Sequence, residues 1–569
     1  ELQSGGFAAE HGGRVSSVLQ IESDAGDGET KIDAGISLLA TRIAVGGRLP
    51  DGVANALGMA NLKWRASGRR SYFDVLLKPA FEFPYHLTDA QTVMEGWTHA
   101  GDRVMLTGYT GADVLDLTRF DPEDFPLRID WDWGNDAAGV RWTRARRGGG
   151  SLDVRANFSR YGTGLNFPDF GDTQFSSHIQ QAQARVDLDT RPSAKLGLKV
   201  GAALEKTSYR NLFETGGTVF GSGEGSGVLL GTYGQVNWSR PREWLVEAGL
   251  RLDTYLPDPG ETIRELAPRV AIKRFFSNGD IALKLATGRY TQFVHSLRDE
   301  ELPLGLDIWV TSGQRAPHVV SDQVQLGLEG YIDEEWYWSV EAYVRSFNGV
   351  VVFNPADDPN DELDDILAGE GLSYGTDFMV RKGTGDVTGW VALSLLRAER
   401  TFADILSPFP SPPDITYSPI FDRRMDLDVV LRYPLPRGWT GGLRWNVGTG
   451  TPYTRAVGSY AYYSPQFVQR DGRLDWAGAS DATDGFGGYA VVLEDRNSSR
   501  YPTYHRLDVS FRRDFPKSWG TLTPYLNLVN IYNQRNVLFY FFEYDRVPPT
   551  RSGISMFPIF PTFGFEVHF

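Results

Sequence analysis

Cysteine is absent from the 569 residues, and histidine and methionine are scarce, with 8 and 6 residues. Without cysteine the chain has no disulfide framework, no thiolate metal site and no cysteine nucleophile. The absence is compatible with an oxidising cell envelope. No histidine stands in the H-E-x-x-H arrangement of zinc hydrolases. We therefore predict no metal site, no cofactor and no catalytic residues.

Long hydrophobic runs are also missing. The tightest apolar cluster covers only residues 537–542, and no stretch of 18 uncharged apolar residues exists, which excludes a transmembrane helix. A transmembrane β-barrel is not excluded, because its strands alternate apolar with polar residues. Aromatic residues make up 13% of the chain, too many for a disordered protein. The net charge of −15 argues against a nucleic-acid partner.

The first residues, ELQSG, have neither the basic nor the apolar region of a signal peptide. We therefore expect the sequence to begin inside a mature or truncated chain.

What the chain does have is a period-2 alternation that recurs from about residue 30 to the end. In residues 245–256, for example, apolar residues such as Leu250 and Leu252 alternate with Arg251 and Asp253. Segments of 10 to 16 alternating residues exceed the usual five or six of soluble strands, and they are long enough to cross a bilayer at a tilt. The pattern predicts an all-β fold, an antiparallel transmembrane barrel.

Counting these segments gives 22 strands, an even number. The predicted strands are 30–38, 40–49, 56–70, 86–99, 102–117, 134–146, 149–167, 177–191, 194–210, 227–240, 244–256, 264–276, 279–294, 322–332, 336–353, 371–383, 387–402, 421–435, 439–454, 501–515, 520–533 and 559–569. Short turns alternate along the chain with long loops, as in outer-membrane barrels with periplasmic turns and extracellular loops. The long loops are predicted at 295–321, 354–370, 403–420, 455–500 and 534–558. A barrel of this size has a lumen wide enough to need a plug.

The C-terminus supports the same class. Phe563, Phe565, Val567 and Phe569 alternate with polar or small residues, and the chain ends on Phe569. Such a strand resembles the signal that the outer-membrane barrel assembly machinery reads, so Phe565, Val567 and Phe569 are the predicted assembly signal. The alternative is an ordinary last strand of a soluble β-protein.

Several stretches resemble the barrel of TonB-dependent outer-membrane receptors. GGFAAEHGGRVSSVL at residues 5–19 resembles the end of the plug domain in that family. The other matching stretches are RRSYFD at 69–74, EGLSYG at 370–375 with GW at 389–390, DRR at 422–424, GTGTPYT at 448–454, NLVNIYN at 527–533 and FPTFG at 560–564. Each stretch alone is weak evidence, and their order together with the final phenylalanine is more specific.

The resemblance implies active uptake of a scarce, bulky ligand, a siderophore, cobalamin, oligosaccharide or peptide, with energy delivered by TonB. It divides the chain into a plug remnant, residues 1–24, and a barrel, residues 25–569. TonB would act through an N-terminal segment that precedes these residues. Residues 5–23 also resemble the subgroup with an N-terminal carboxypeptidase-regulatory-like domain. Two alternatives stay open: a passive porin, and a structural barrel subunit of an envelope complex with a surface lipoprotein.

Candidate binding residues come from the aromatic and polar content of two long loops, since aromatic rings in external loops can stack on ligand rings. Packing of each loop on itself is the plainer interpretation. The candidates are Tyr290, Gln292, His295, Arg298, Asp299 and Trp309 around the first long loop, and Tyr460, Tyr462, Tyr463, Phe467, Trp476 and Phe486 in the fourth.

Inward-facing charges are expected to form ion pairs along the wall or to hold the plug. The predicted plug–barrel contacts are Glu10, Arg14, Arg424, Arg506 and Arg512.

Aromatic residues near strand ends, among them Trp244 and Tyr255, are predicted to form interfacial girdles. The glycine-rich stretch 221–227 lacks the lysine of a phosphate-binding loop and is expected to be an extracellular loop. Membrane lipids and lipopolysaccharide are the expected surroundings.

Overall fold

The described residues form one closed antiparallel barrel of 22 strands. The computed structural model describes residues 2–3, 5–72, 84–119, 128–298, 306–354, 361, 363–403, 413–463, 467–470, 473–476, 487–543 and 550–569. The barrel strands are β1 Lys31–Ser37, β2 Ala40–Arg48, β3 Met59–Ser71, β4 Tyr85–Thr98, β5 Arg103–Asp116, β6 Asp130–Arg146, β7 Gly150–Phe167, β8 Thr173–Ser193, β9 Leu196–Thr215, β10 Thr218–Arg240, β11 Trp244–Asp258, β12 Ile263–Phe276, β13 Ile281–Gln292, β14 Val319–Ile332, β15 Trp336–Phe353, β16 Ile366–Lys382, β17 Thr388–Ala403, β18 Asp414–Tyr417 with Met425–Leu435, β19 Trp439–Gly448, β20 Tyr504–Arg512 with Phe515–Lys517, β21 Gly520–Val529 and β22 Phe560–His568.

Each strand pairs with its neighbours in sequence, and the last strand closes on the first, where Gly35 lies opposite Glu566. The two stretches of β18 both pair with β17, and those of β20 both pair with β21, so each counts as one strand. All 22 predicted strands are present in the predicted order. The fold class is therefore confirmed.

Several strand boundaries differ from the prediction by four residues or more, among them the end of β9 at Thr215 rather than 210 and the start of β16 at Ile366 rather than 371. The glycine-rich stretch 221–227 is not a loop, because β10 begins at Thr218 and Ser222 pairs with Leu212 of β9. The alternation signal failed there because glycine has no side chain to mark a face. The nineteenth strand ends at Gly448 rather than at residue 454, and Pro452–Tyr453 pairs instead with Ser499–Arg500 inside the following loop.

The two faces of the wall follow the predicted alternation. In β11, Leu250 and Leu252 are exposed on the outer surface, whereas Arg251 and Asp253 are buried inside. Phe563, Phe565 and Phe569 at the C-terminus are also exposed. A continuous apolar outer surface suits lipid and would be a liability in water. Tyr255 corrects one expectation: it is not in a girdle but buried inside the barrel, because it shares the inward parity of Arg251.

The connections are unequal at the two ends of the barrel. One end, the turn end, has short links such as residues 241–243 and 333–335, plus the helix α1 Asp51–Ala56. The other, the loop end, has long links that contain hairpins of their own. These hairpins are Val294–Leu297 with Ile308–Thr311, Ala456–Tyr463 with Gly487–Leu493, Phe467–Arg470 with Arg473–Trp476, and Val537–Glu543 with Thr550–Ser555. Within the described ranges, no helix has the length and apolarity needed to span a membrane.

Candidate functional site

Residues 5–23, here called the N-terminal segment, lie inside the barrel. Leu2–Gln3 pairs with Val18–Leu19, so residues 2–19 form a loop whose two ends meet. Phe7 and Ala9 are each only 1% exposed. The loop packs against the inner face of β8 to β15, and this contact is the main feature of the described lumen.

Glu10 is the ionic contact of the N-terminal segment. Its carboxylate accepts hydrogen bonds from Arg185 of β8 and from Lys199 of β9, the latter at 3.0 Å. Burial would raise the pKa of the Glu10 carboxyl, but Lys199 and Arg185 outweigh burial and hold that pKa below its ordinary value. Arg185 also pairs with Asp187 at 2.7 Å, so the glutamate joins an existing wall network.

Two further arginines bind the backbone of the N-terminal segment. Nη1 of Arg269 in β12 donates to the carbonyl oxygens of Ala8 at 2.5 Å and His11 at 2.6 Å, and also reaches that of Phe7 at 3.3 Å. Nη1 of Arg251 in β11 makes longer contacts, at 3.4 and 3.5 Å, with the carbonyl oxygens of Ala9 and Glu10. Five consecutive residues thus present carbonyls to two wall cations.

Wall amides make the same kind of contact. The backbone N–H of Ala9 donates to the side-chain oxygen of Gln235 at 3.2 Å, and the side-chain amide of Gln323 donates to the carbonyl of Val15. These contacts depend on the path of the backbone and not on side-chain identity.

Two aromatic rings in contact with Arg269 complete the interaction of the N-terminal segment with the wall. The rings of Phe7 and Tyr290 lie 4.4 Å apart between centroids, and the guanidinium of Arg269 lies 5.0 and 4.4 Å from their centres. Val15 and Val319 extend this apolar cluster. The cation is therefore held by two rings as well as by carbonyls.

Beyond residue 19 the chain leaves this sector and reaches the wall formed by β3 to β6. Ser23 accepts a hydrogen bond from Gln91 at 2.6 Å, Glu22 lies 3.8 Å from Arg141, and Lys63 donates to the carbonyl of Gly26 at 3.1 Å. These contacts are fewer and more exposed than those of residues 7–11.

The link between β13 and β14, residues 293–318, is here called the mouth loop, and its described residues fold inward at the loop end. Leu297 and Val310 of its hairpin pack on Tyr209 of β9, and Asn211 donates to the carbonyl of Trp309 at 2.8 Å. At the loop's base, Phe293 stacks between Tyr255 and His318, with centroids 4.6 and 5.7 Å away. The mouth loop thus covers the same sector that holds the N-terminal segment.

Two cavities flank these contacts. One of about 250 Å³ lies at the mouth loop. Asn211 contributes a polar side chain to its lining, and the apolar side chains there include Phe175, Tyr209, Leu297, Ile308 and Val310. The other, of about 840 Å³, lies toward the turn end below the N-terminal segment, where Lys195, Glu247 and Lys284 line it. Any solute passing this sector must displace or bypass the material between the two cavities.

In the first set of candidate binding residues, Tyr290 and His295 are buried, Gln292 and Trp309 are half-buried, and Arg298 is exposed. Tyr290 is fully buried against Phe7, and His295 is 4% exposed. Gln292 donates to the carbonyl of Val294 at 2.8 Å, and Arg298 forms a two-point ion pair with Asp307 at 2.5 and 3.0 Å. Trp309 packs edge-on to Tyr161. Asp299 lies outside the described residues.

Tyr460 in the second set is exposed. The side chains of the other candidates in this set lie outside the described residues, namely Tyr462, Tyr463, Phe467, Trp476 and Phe486.

The residues predicted to form plug–barrel contacts lie in different surroundings. Glu10 lies on the wall as described above, whereas Arg14 is exposed and donates to the carbonyl of Gly13 at 2.6 Å. The other three form pairs along the wall: Arg424 with Asp422 at 2.7 Å, Arg506 with Asp508 at 2.9 Å and Arg512 with Asp514 at 3.5 Å. Among the described residues, no hydrogen bond or ion pair joins these three arginines to the N-terminal segment.

The sequence did not single out the wall residues that bind the N-terminal segment, which are Arg185, Lys199, Gln235, Arg269 and Gln323. Inward parity was a usable signal, since each lies on the inner face of its strand. Parity does not say which inward residues meet residues 5–15, which are about 175 to 310 positions away along the chain.

Among the described residues, no group of three or more histidines and carboxylates is arranged to hold a metal ion.

The chain matches no protein-family model and no curated protein sequence. It does match solved structures. The FrpB iron transporter from Neisseria meningitidis superposes with a TM-score of 0.65 at 12% identity, over 100% of this chain and 86% of that one. The ferric yersiniabactin uptake receptor FyuA from Yersinia pestis gives 0.63 at 10% identity, over 95% and 80% of the two chains. The ferripyoverdine receptor of the Pseudomonas aeruginosa outer membrane gives 0.62 at 10%, over 95% and 71%.

These proteins are a transporter and two receptors of the outer membrane or of iron uptake. The chain therefore has the fold of TonB-dependent outer-membrane receptors, as the sequence motifs predicted. Its apolar outer surface is that of a multi-pass outer-membrane β-barrel, with short connections at one end and long connections at the other. At 10 to 12% identity, the likeness concerns the fold alone.

Proposed function

We propose that this chain is the barrel of an active outer-membrane transporter that takes up a scarce, bulky ligand with energy delivered through TonB. The observation that carries the proposal is the N-terminal segment, which lies inside the lumen on wall cations. Residues 1–24 are then the end of a plug domain whose earlier part TonB remodels. A further carboxypeptidase-regulatory-like domain stays a prediction.

We propose metal chelates of the ferric-siderophore type as the first ligand class to test. Three proteins of similar structure are named for iron, ferripyoverdine and ferric yersiniabactin. Cobalamin, oligosaccharides and peptides remain as further classes. In this proposal the ligand first meets the extracellular surface of the mouth loop, and Tyr460 with its neighbouring loop aromatics contributes stacking surface.

The mouth loop and the N-terminal segment support a gated route over an open pore. A passive porin needs no chain inside its lumen, whereas here two elements occupy one sector of the lumen and, in this proposal, the earlier part of the plug closes the rest. Contacts made by hydrogen bonds and ion pairs in a wetted lumen can break and re-form, as gating requires. The role as a structural subunit with a surface lipoprotein is the remaining alternative.

The test is uptake by cells that carry the full-length gene. We expect a panel of radiolabelled ferric siderophores to contain at least one whose accumulation needs both the gene and TonB. A matched strain lacking TonB is the control. Accumulation that persists without TonB, or gene-dependent entry of small unrelated sugars at the same rate, would support the porin instead.

A further inference from the structure

We propose that Arg251 and Arg269 are positioning residues that fix residues 7–11 to the barrel wall, so that the moving part of the transporter ends before Phe7. This inference rests on the proposed function, because it states which part of the chain stays in place when the preceding part is pulled. It assigns the two arginines a role that differs from that of the wall ion pairs.

The first argument is the way Arg269 is satisfied. The guanidinium is 5% exposed, and one of its nitrogens serves three carbonyls of the N-terminal segment. Its other two nitrogens have no hydrogen-bond partner among the described residues. If residues 7–11 left, a buried cation would lose its main acceptors together with the Phe7 ring. We therefore expect residues 7–11 to leave Arg269 in a single event and not one contact at a time.

Arg251 is held in a different way. It is 2% exposed and pairs at 2.7 Å with Asp253, which is fully buried and also accepts a hydrogen bond from Thr291 at 2.8 Å. Its charge is thus compensated by the wall itself. The segment lies on this prepositioned guanidinium, which fixes where the backbone of Ala9 and Glu10 can rest.

Glycines allow the close approach. A Cβ atom at Gly12 would lie 2.1 Å from the guanidinium carbon of Arg251, and one at Gly249 would lie 2.7 Å from the Cβ of Ala9. Both distances are far inside van der Waals contact, so a side chain at either position would require the Arg251 guanidinium or Ala9 to shift. The fit between residues 9–12 and β11 is therefore steric as well as polar.

The contacts after residue 19 are weaker. After residue 19, the chain is held by single contacts such as Gln91 with Ser23, which are exposed. Exposed polar contacts exchange readily with water and contribute little against a pull. Tension that reaches the segment from its N-terminal side must therefore overcome residues 7–11 before it can reach β1.

Single-molecule pulling on the N-terminus of the full-length protein, reconstituted in a lipid membrane, tests this inference without any ligand. Residues 7–30 are the chain between the fixed point and β1, and about 24 extended residues span roughly 80 Å. We expect the final unfolding step before the barrel to have this length. It should also need a higher force than the steps before it.

Substitution then identifies the residues that fix the chain. Arg269→Met should raise the rupture rate of the final step at constant force at least tenfold, and Arg269→Lys should give an intermediate rate because it keeps the charge but not the planar fork. Arg506→Met is the matched control, because Arg506 pairs with Asp508 two residues along its own strand, as Arg251 pairs with Asp253. Heat-modifiable migration on gels verifies that each variant forms its barrel.

The absence of a separate 80 Å step in the wild type, or an unchanged final step in both Arg269 variants, would overturn the proposal. Labelling in cells separates this outcome from failure of the proposed function. A full-length Ala8→Cys variant should react with a small maleimide at the same rate with and without TonB. A rate that rises only with TonB would reject the fixed point and still support energised transport.

Discussion

The buried imidazole of His295 makes the folding of the mouth loop sensitive to acid. His295 is 4% exposed, and its Nε2 lies 2.7 Å from the carbonyl oxygen of Pro317 and 3.3 Å from Oγ of Ser312. Burial lowers the pKa of this imidazole to about 4, and nearby His318 acts in the same direction. An exposed histidine has a pKa of about 6.5. The undocked loop therefore binds a proton more readily than the docked loop.

The sign and size of the effect follow from this difference. The pKa of the His295 imidazole is lower in the docked loop than in the undocked loop. The free energy by which neutral His295 favours the docked loop is therefore complete above pH 6.5 and is lost as the pH falls toward 4. The loss amounts to about 1.4 kcal/mol at pH 5.5 and about 2.6 kcal/mol at pH 4.5. We therefore expect the undocked population to rise about tenfold between pH 7.5 and pH 5.5.

Spin-label mobility at the hairpin measures this population. The chain contains no cysteine, so Ser296→Cys, at an exposed site, gives a single attachment point. The mobile fraction should grow on acidification in the otherwise unchanged protein and stay nearly constant when His295→Gln is added. A flat wild-type response down to pH 4.5, or the same rise in the glutamine variant, would refute the role of His295.

Three further outcomes are expected. Glu10→Gln leaves Arg185 and Lys199 without their shared carboxylate, so backbone amides 7–15 should exchange with deuterium about tenfold faster, a loss of about 1.4 kcal/mol, whereas Arg512→Gln should not change them. Phe569→Asp places a charge on the outer face of the last strand, and it should reduce the barrel yield in the outer membrane without reducing synthesis; a normal yield would mean that this terminus is not the assembly signal. Residues 1–569 in a planar bilayer should conduct ions through a large pore while the full-length protein conducts little; equally low conductance from both would show that loops such as the mouth loop close the lumen.

The strands were accessible to sequence reasoning because their signal is local. A side chain on a barrel strand faces lipid or lumen according to its parity, so Leu250 and Arg251 reveal their faces without any knowledge of the neighbouring strands. Tyr255 was misplaced because it was assigned to a girdle from its residue type, although its parity puts it on the inward face with Arg251. The glycine-rich start of β10 was missed because glycine carries no facial information.

The interior could not be predicted in the same way. Glu10 was singled out as a contact from its place before the first strand, but its partners Arg185 and Lys199 depend on the height and angle at which the N-terminal segment enters the lumen. Many inward arginines compete for that role in the sequence, and Arg506 and Arg512 are equivalent to Arg251 by pattern alone. The inward fold of the mouth loop rests on contacts between Leu297, Val310 and Tyr209, which lie on elements far apart in the chain.

The sequence by itself therefore determined the number of strands, their order, the face that each residue takes and the apolar C-terminal strand, since a period of two is imposed by backbone geometry within each strand. Only the tertiary structure decided which wall residues hold residues 7–11 and which loop covers them. Those contacts join positions far apart in the chain, 261 residues for Ala8 with Arg269 and 98 for Asn211 with Trp309, and closure of the barrel is what brings them within hydrogen-bond distance.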